Sequence, residues 1–227
     1  RDRSVSRGLG DVYKRQEVRG SNMNKKIKQK YRKILRGRID KKNRSLLKNR
    51  DITIISANCV GGVIYHDLGL AFNSPTINLF FSASDYVKFV SNFKHYLQCE
   101  LVETSSEFDY PCALCDDIVL HMVHYHSFEE GKMKWEERIG RINYNNLYFI
   151  MVDRDGCEEK DIVAFDNIPY KHKAFLTYKE RPEIKCAVYV PESSDGEQIR
   201  DLCQYKSRFT GKRWLDQFDY VTFLNDK

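Results

Sequence analysis

The chain has 227 residues, 41% of them hydrophobic and 13% aromatic, which fits one domain of ordinary size with a substantial core. Its net charge of +6 is uneven, because residues 23–50 hold thirteen Lys and Arg against one acid, whereas residues 51–227 hold nineteen against twenty-eight acids. No apolar run approaches the roughly 18 residues of a membrane span, no secretory signal follows the basic start, and seven cysteines without framework spacing favour a reducing cytoplasm over a disulfide scaffold.

The first residues are interpreted separately from the rest. The segment Asp11-Val12-Tyr13-Lys14-Arg15-Gln16 is similar to a translated transposase mosaic end from sequencing-library preparation, and Arg1-Asp2-Arg3 fits the same oligonucleotide in another frame. We therefore expect residues 1–16 to be a sequencing-adapter artefact, residues 1–22 to be disordered and Met23 to be the native start. The alternative is a natural basic tail.

Residues 23–50 form a basic leader. The periodicity predicts a helix over residues 24–36 with one apolar side, an interruption at Gly37, and a resumption around Leu46 and Leu47. The apolar side consists of Ile27, Tyr31, Ile34 and Leu35. A basic amphipathic segment over residues 24–48 suits an anionic membrane surface, which predicts a peripheral position at the inner face of the plasma membrane. A helix that packs on its own domain is an equal alternative, and nucleic acid is disfavoured because Tyr31 alone interleaves the charges.

Residues 51–227 alternate apolar strand patterns with helical ones. Strands are predicted at 52–55, 77–81, 101–103, 118–125, 147–152, 175–177 and 187–190. Helices are predicted at 63–68, 86–98 with a cap at Ser84 or Asp85, 128–139 with a cap at Ser127, 158–165 and from 196 to 203, with a helix or strand at 214–223. This alternation predicts a single α/β domain with a mainly parallel sheet covered by helices on both faces.

The loop Ser56-Ala57-Asn58-Cys59-Val60-Gly61-Gly62 follows the first predicted strand. Ligands of parallel sheets bind beyond the carboxyl ends of the strands, and paired glycines before a helix let a backbone approach an anion closely. The loop lacks the Gly-Lys-Ser/Thr ending of a Walker motif. It predicts a phosphate or sugar site with Asn58, Gly61 and Gly62 as contacts, and a tight turn without a ligand is the alternative.

The loop Asp153-Arg154-Asp155-Gly156-Cys157 follows the most hydrophobic predicted strand. Two carboxylates in an Asp-x-Asp spacing suit a divalent cation that neutralises a diphosphate leaving group. Asp153 and Asp155 are therefore candidate ligands of Mg²⁺ or Mn²⁺, and no organic cofactor is expected. A polar turn with Gly156 at a positive φ is the alternative.

Two further groups have suitable chemistry for catalysis. His124 can act as a general base near neutral pH, and Cys59 can act as a nucleophile because a helix N-terminus lowers a thiol pKa. Arg138 and Arg141 lie at helical spacing and can clamp a phosphate. The alternatives are a satisfied histidine, a packed cysteine and solvated arginines.

Cys112 and Cys115, followed by His121, His124 and His126, allow a zinc hypothesis. One Cys-x-x-Cys without a second pair is a weak signal. Strand alternation also places His121 on the face opposite His124, which argues against a shared ion.

Several motifs together resemble a known family. They are Ile55–Tyr65, Leu68-Gly69-Leu70, Asn73-Ser74-Pro75-Thr76, Asp85-Tyr86-x-Lys88-Phe89, His124-Tyr125-x-Ser127, Trp135-x-x-Arg138-x-x-Arg141-Ile142-Asn143 and the 153–157 loop. The set spans residues 51–190 and is similar to the bacterial exopolysaccharide-biosynthesis family of unknown function, whose opening signature usually reads Ser-Asn-Asn-Cys-Trp-Gly-Gly. Ala57 and Val60 differ here, and because Val60 replaces the Trp, the loop is left with backbone contacts and the Asn58 side chain.

The resemblance implies a role in exopolysaccharide or capsule synthesis, and the expected activity is sugar transfer from an activated, nucleotide- or lipid-linked sugar to a polysaccharide intermediate. The expected catalytic residues are His124, Asp155 and Cys59. The expected substrate-binding residues are Asn58, Gly61, Gly62, Tyr65, Ser74, Thr76, Tyr125, Arg138, Arg141 and Asn143. Two alternatives remain, namely an acyltransferase or hydrolase that uses Cys59 or Ser56 on a polysaccharide, and a non-enzymatic scaffold of the synthesis machinery.

Overall fold

The computed structural model describes residues 22–207 and 209–226, and the side chains among these from residue 29 onward. The predictions for residues 1–16 and for the Ile27 side chain lie outside this part of the chain. Among the described residues, no helix has the length and apolarity that a membrane span requires.

The elements alternate much as the sequence predicts. The helices are α1 (Asn22–Leu46), α2 (Val60–Leu68), α3 (Ala83–Ser91), α4 (Phe93–Tyr96), α5 (Phe128–Ile139), α6 (Glu159–Asn167), a 3-10 helix (Trp214–Gln217) and α7 (Tyr220–Asn225). The strands are β1 (Thr53–Ser56), β2 (Leu101–Thr104), β3 (Cys112–Cys115), β4 (Ile118–His121), β5 (Leu147–Val152), β6 (Lys173–Thr177) and β7 (Ala187–Tyr189).

The main sheet has the order β1-β5-β6-β7, and all of its neighbouring strands are parallel. Alternate residues of each strand face opposite layers, so Phe149 packs with Phe89 and Trp135 of α3 and α5, whereas Tyr148 packs with Leu224 of α7. Helices therefore cover both faces, and the predicted single α/β domain with a parallel sheet is confirmed.

A second, antiparallel sheet has the order β2-β3-β4. An isolated antiparallel bridge joins Phe80 to His121, the last residue of β4. This bridge ties the segment before α3 to the end of the hairpin. Residues 77–81, predicted as a strand, form turns and this single bridge instead.

The basic leader is one continuous helix that passes through Gly37, so the predicted interruption is wrong. Arg36 is buried, and its guanidinium contacts Asp40 at 2.7 Å, Asp67 at 3.0 Å and Asp216 at 2.6 Å. These contacts anchor α1 to α2 and to the 3-10 helix. Tyr31 and Ile34 face outward instead, 54% and 50% exposed.

Gly211 lies beneath α1. A Cβ atom at this position would lie 2.8 Å from Leu35 Cβ and 2.9 Å from the Arg36 backbone nitrogen, and its φ is 65°. Glycine therefore permits the helix to approach the loop closely. Residues 29–50 are thus packed on the domain rather than attached to it as a free leader.

Candidate functional site

The loop between β1 and α2 is held by its own side chains. Ser56 Oγ donates to the Asn58 carbonyl at 2.6 Å and accepts the Gly61 amide at 3.0 Å, and Asn58 Oδ1 accepts the Val60 amide at 3.2 Å. A Cβ atom on Gly61 would lie 2.6 Å from Ser56 Oγ. The first glycine is therefore required by close packing of α2 on the strand end, and Cys59 becomes the N-cap residue of α2.

Cys59 and His124 meet at this loop. Cys59 Sγ lies 3.2 Å from His124 Nε2, a hydrogen-bonding distance for a thiol and an imidazole. His124 is exposed and lies in the turn after β4. The neighbouring Tyr125 is buried, and its hydroxyl donates to the Ile77 carbonyl at 3.0 Å, which holds this turn against the 72–78 segment.

A cavity of about 180 Å³ opens at this contact. It is lined by Cys59, Gly62, Val63, His66, Phe72, Ile77, Asn78 and His124. Asn78 has a φ of 66°, a left-handed conformation that asparagine tolerates better than most residues. The walls are mostly apolar, with a thiol and an imidazole at one end.

The surroundings raise the pKa of the Cys59 thiol. Burial is the main cause, the negative charges of Asp201 and Asp155 add to it, and Arg154 acts in the opposite direction. The predicted lowering by the helix N-terminus is therefore wrong, because burial and the two carboxylates outweigh it. Cys59 is a neutral thiol at neutral pH, and it needs a base such as His124 to become a thiolate.

The Asp153–Cys157 loop lies beside Cys59 at the carboxyl edge of the sheet, since β5 neighbours β1. It borders a groove of about 530 Å³. The groove is lined by Asp153, Arg154, Gly156, Cys157, Asp195, Gly196, Glu197 and Gln198. Gly156 has a φ of 79°, as the polar-turn interpretation predicts.

The two carboxylates predicted to bind a metal already have protein partners. Asp153 is buried and accepts the Thr177 hydroxyl at 2.6 Å, and Asp155 pairs with Arg154 at 3.2 Å. Within residues 22–207 and 209–226, neither belongs to a set of three His, Cys, Asp or Glu ligands close enough to hold one ion. This donor set fits Mg²⁺ or Mn²⁺ poorly.

The two arginines support the cavity wall. Arg138 is buried and donates to the Tyr125 hydroxyl at 2.6 Å and to the Ile77 carbonyl at 3.1 Å. Arg141 donates to the Phe72 carbonyl at 3.3 Å and pairs with Glu137. Both guanidinium groups thus position the 72–78 segment, and Tyr125 serves the same purpose.

Other predicted contacts lie elsewhere. Tyr65 is fully buried, and its hydroxyl accepts the Ile54 amide at 2.9 Å. Ser74 and Thr76 are buried and bond each other at 3.0 Å, behind the strand end. The backbone N–H of Asn143 donates to Thr53 Oγ1 at 2.9 Å, at the amino end of β1 and therefore at the edge opposite Cys59.

The predicted zinc residues are dispersed. Cys112 Sγ lies 3.5 Å from His121 Nδ1, whereas the Cys115 thiol points to the Tyr96 carbonyl at 3.4 Å. His124 is in contact with Cys59 instead, and His126 is exposed.

Several site residues were not predicted. Ile77 and Asn78 fall in the predicted strand 77–81, and Phe72 falls in no predicted element. Asp201 falls in the helix predicted from 196 to 203, which is wrong because this segment forms turns and bends. The sequence Asn73-Ser74-Pro75, which is typical of a turn, was the available indication that this segment is a loop.

The chain was compared with known proteins. The family profile described as a domain of unknown function, DUF1919, matches residues 30–225. A protein of Haemophilus influenzae, described as an uncharacterized protein, is 40% identical over 200 residues, which cover 88% of this chain and 97% of the relative. The profile match includes the docked half of α1, Cys59, His124 and the 153–157 loop. The chain therefore belongs to the DUF1919 family.

Proposed function

We propose that this chain is a cysteine-dependent acyltransferase or hydrolase that acts on a polysaccharide during exopolysaccharide or capsule assembly. The observation that carries the proposal is the 3.2 Å contact between Cys59 Sγ and His124 Nε2 at the mouth of a cavity. A nucleophile within hydrogen-bonding reach of a base is the arrangement that covalent catalysis requires. Its position beyond the carboxyl end of β1 agrees with the rule for parallel sheets.

The chemistry follows from these two groups. His124 takes the thiol proton as Cys59 Sγ attacks the carbonyl carbon of an ester, and a thioester forms as the alkoxide leaves with a proton from His124. Water or an acceptor hydroxyl then attacks the thioester and gives its proton to His124, the C–S bond breaks, and the thiolate recovers its proton. The positive end of α2 favours the negative charge that develops on the carbonyl oxygen.

The residues that line the cavity and the groove suggest which part of a substrate each would bind. The apolar walls formed by Val63, Phe72 and Ile77 suit a short acyl chain. The groove at Asp195 and Gln198 is polar and suits the hydroxyl groups of a sugar. The polysaccharide substrate itself rests on the resemblance to the exopolysaccharide family. Ser56 is excluded as the nucleophile because it is buried and its hydroxyl is committed to Asn58 and Gly61.

The test is acyl-enzyme formation with p-nitrophenyl acetate, followed by intact-protein and peptide mass spectrometry. We expect an acetyl group on Cys59, none at that position in Cys59→Ala, and a rate lower by about 10²- to 10⁴-fold in His124→Ala, since the general base is lost. His126→Ala is the matched control, because His126 is also exposed but is not at the cavity. Equal p-nitrophenolate release by wild type and Cys59→Ala would refute the proposal.

Sugar transfer remains a second candidate because of one observation, the polar groove of about 530 Å³ beside the Asp153–Cys157 loop. A thermal-shift screen of the full chain against nucleotide sugars, with and without Mn²⁺, separates the two. A rise in Tm that requires both the nucleotide sugar and Mn²⁺, and that disappears in Asp155→Asn, supports sugar transfer. A rise without Mn²⁺ supports sugar binding alone, and no rise eliminates this candidate.

We also propose a cytoplasmic position at the inner face of the membrane. Tyr31, Ile34, Arg38 and Lys41 follow one another at spacings of three or four residues and so share one face of α1, and all four are exposed. Aromatic, aliphatic and cationic groups on one helical face suit an anionic lipid surface.

A further inference from the structure

A second cluster of potential ligands lies away from the Cys59 cavity, where the end of α4 meets the β3–β4 hairpin. His95 is in α4, and Cys99 follows four residues later. Strand β3 ends at Cys115, and Asp116 follows in the hairpin turn. The pairing of Leu101 with Cys115 brings the two segments together.

The donor atoms of this cluster lie close together. His95 Nε2 is 2.8 Å from Asp116 Oδ2 and 3.5 Å from Cys99 Sγ. One donor atom each from His95, Cys99 and Asp116 lies within 4.8 Å of the others. The Cys115 thiol points to the Tyr96 carbonyl at 3.4 Å and does not belong to this set.

These separations suit a tetrahedral ion. Zinc bonds of about 2.0–2.3 Å to N, O and S place tetrahedral ligands about 3.3–3.8 Å apart. The distance between Cys99 and His95 already falls in this range. The His95–Asp116 pair is about 0.6 Å too close by the same geometry, and both side chains are about half exposed, which leaves them free to separate.

We propose that His95, Cys99 and Asp116 bind one Zn²⁺ ion that fastens α4 to the β3–β4 turn, with water as the fourth ligand. A thiolate, an imidazole and a carboxylate form a soft-to-borderline donor set, which selects zinc over Mg²⁺ or Mn²⁺. Because the three ligands come from two segments of the chain, the free energy of zinc binding stabilises the packing of those segments. The cysteine that serves as a ligand is therefore Cys99, and neither Cys112 nor Cys115 belongs to the set.

The test uses the full chain, purified with a chelator and a non-thiol reductant so that the cysteines stay reduced and free of metal. Titration with Co²⁺ alone reports thiolate ligation through the charge-transfer absorption. Zn²⁺ should then displace the bound Co²⁺ with a stoichiometry of one Zn²⁺ ion per chain. We also expect Zn²⁺ to raise the Tm of the wild type. His95→Gln and Cys99→Ser are expected to weaken Zn²⁺ binding by 10-fold or more and to abolish the Tm rise.

Cys112→Ser is the matched control, because Cys112 lies in the same hairpin but outside the cluster and contacts His121 instead. It should bind Co²⁺ and Zn²⁺ as the wild type does. His95 is half exposed, so His95→Gln should remain folded even where a cysteine variant does not. The proposal is overturned by a wild-type chain with no thiolate band and no Tm rise, or by binding that survives in both His95→Gln and Cys99→Ser.

Discussion

Cys59 combines the position of a nucleophile with the protonation state of a buried thiol. Its side chain is at the N-terminus of α2, but burial and the carboxylates of Asp201 and Asp155 raise its pKa. A cysteine of this kind reacts slowly by itself and depends on a neighbouring base. The contact with His124 at 3.2 Å places such a base beside the thiol.

The raised pKa predicts how Cys59 reacts with iodoacetamide. Since the thiolate is the reactive form, we expect the rate of Cys59 labelling to rise with pH and to reach its midpoint above the ordinary thiol pKa of 9.0. Peptide mass spectrometry across a pH series measures it. A midpoint below 9.0 would show that the helix N-terminus and His124 outweigh burial.

The two adjacent glycines of the loop should respond differently to substitution. Gly61→Ala forces a Cβ atom to 2.6 Å from Ser56 Oγ, whereas Gly62→Ala meets Ile77 Cδ1 at an ordinary 3.8 Å. We expect Gly61→Ala to lower the free energy of unfolding by about 1–3 kcal/mol. Gly62→Ala should raise it by up to about 1 kcal/mol, because alanine favours a helix. Urea denaturation of both variants checks this, and equal effects would contradict the packing argument.

Among the elements, those with strong local signals were predicted well. Strand β5 was evident because both of its faces are apolar, and α5 because Ser127 caps it through the Glu130 amide at 3.2 Å. The strand predicted at residues 77–81 was wrong, because the apolar side chains of this segment fill the core while its backbone forms no strand pairing beyond the single bridge at Phe80. The predicted helix 86–98 divides at Asn92, whose φ of −126° and ψ of 45° end α3.

The candidate site was predictable by residue type but not by contact. Cys59 and His124 were both chosen for their chemistry, yet they are distant in sequence. Their meeting depends on the Phe80–His121 bridge and the Tyr125–Ile77 bond, which no local pattern encodes. Asn143 and Tyr65 illustrate the opposite case. They were predicted as site residues because they belong to the same set of motifs, but the fold places them away from the Cys59 cavity.

Helix α1 depends on the charge of Arg36. Burial by itself lowers the pKa of this guanidinium, but the hydrogen bond and charge of Asp216, with the charges of Asp67 and Asp40, raise it above its ordinary range. Arg36→Met leaves the largely buried carboxylates of Asp40 and Asp216 without their guanidinium partner, whereas Asp67 keeps Arg213, so we expect a loss of about 3–5 kcal/mol in the free energy of unfolding. Urea denaturation at neutral pH measures it. Arg38→Met, exposed on the same helix, should change stability by less than about 0.5 kcal/mol.

For the whole molecule, the outward face of α1 predicts membrane attachment. Each cation near an anionic surface contributes about 1 kcal/mol, so Arg38→Ala with Lys41→Ala should weaken binding to phosphatidylglycerol vesicles by about 30-fold. Co-sedimentation at low and high salt measures it. Lys94→Ala, exposed on α4, is the control. Equal binding to phosphatidylcholine vesicles, or no effect of the double substitution, would contradict the proposal.

The order of the main sheet has a consequence for the way in which the protein is made. Strand β1 pairs with β5, so Thr53 can pair with Leu147 only after β5 has been synthesised. The Asn49 side chain likewise donates to the Leu224 carbonyl at 2.9 Å, close to the end of the chain. Arg36 likewise meets Asp216 only when almost the entire chain exists. Contacts between such distant residues slow folding. On the ribosome, the early segments can therefore complete their contacts only when the last helix emerges, and a chain that stalls before Asp216 lacks the ion pair that joins α1 to the 3-10 helix.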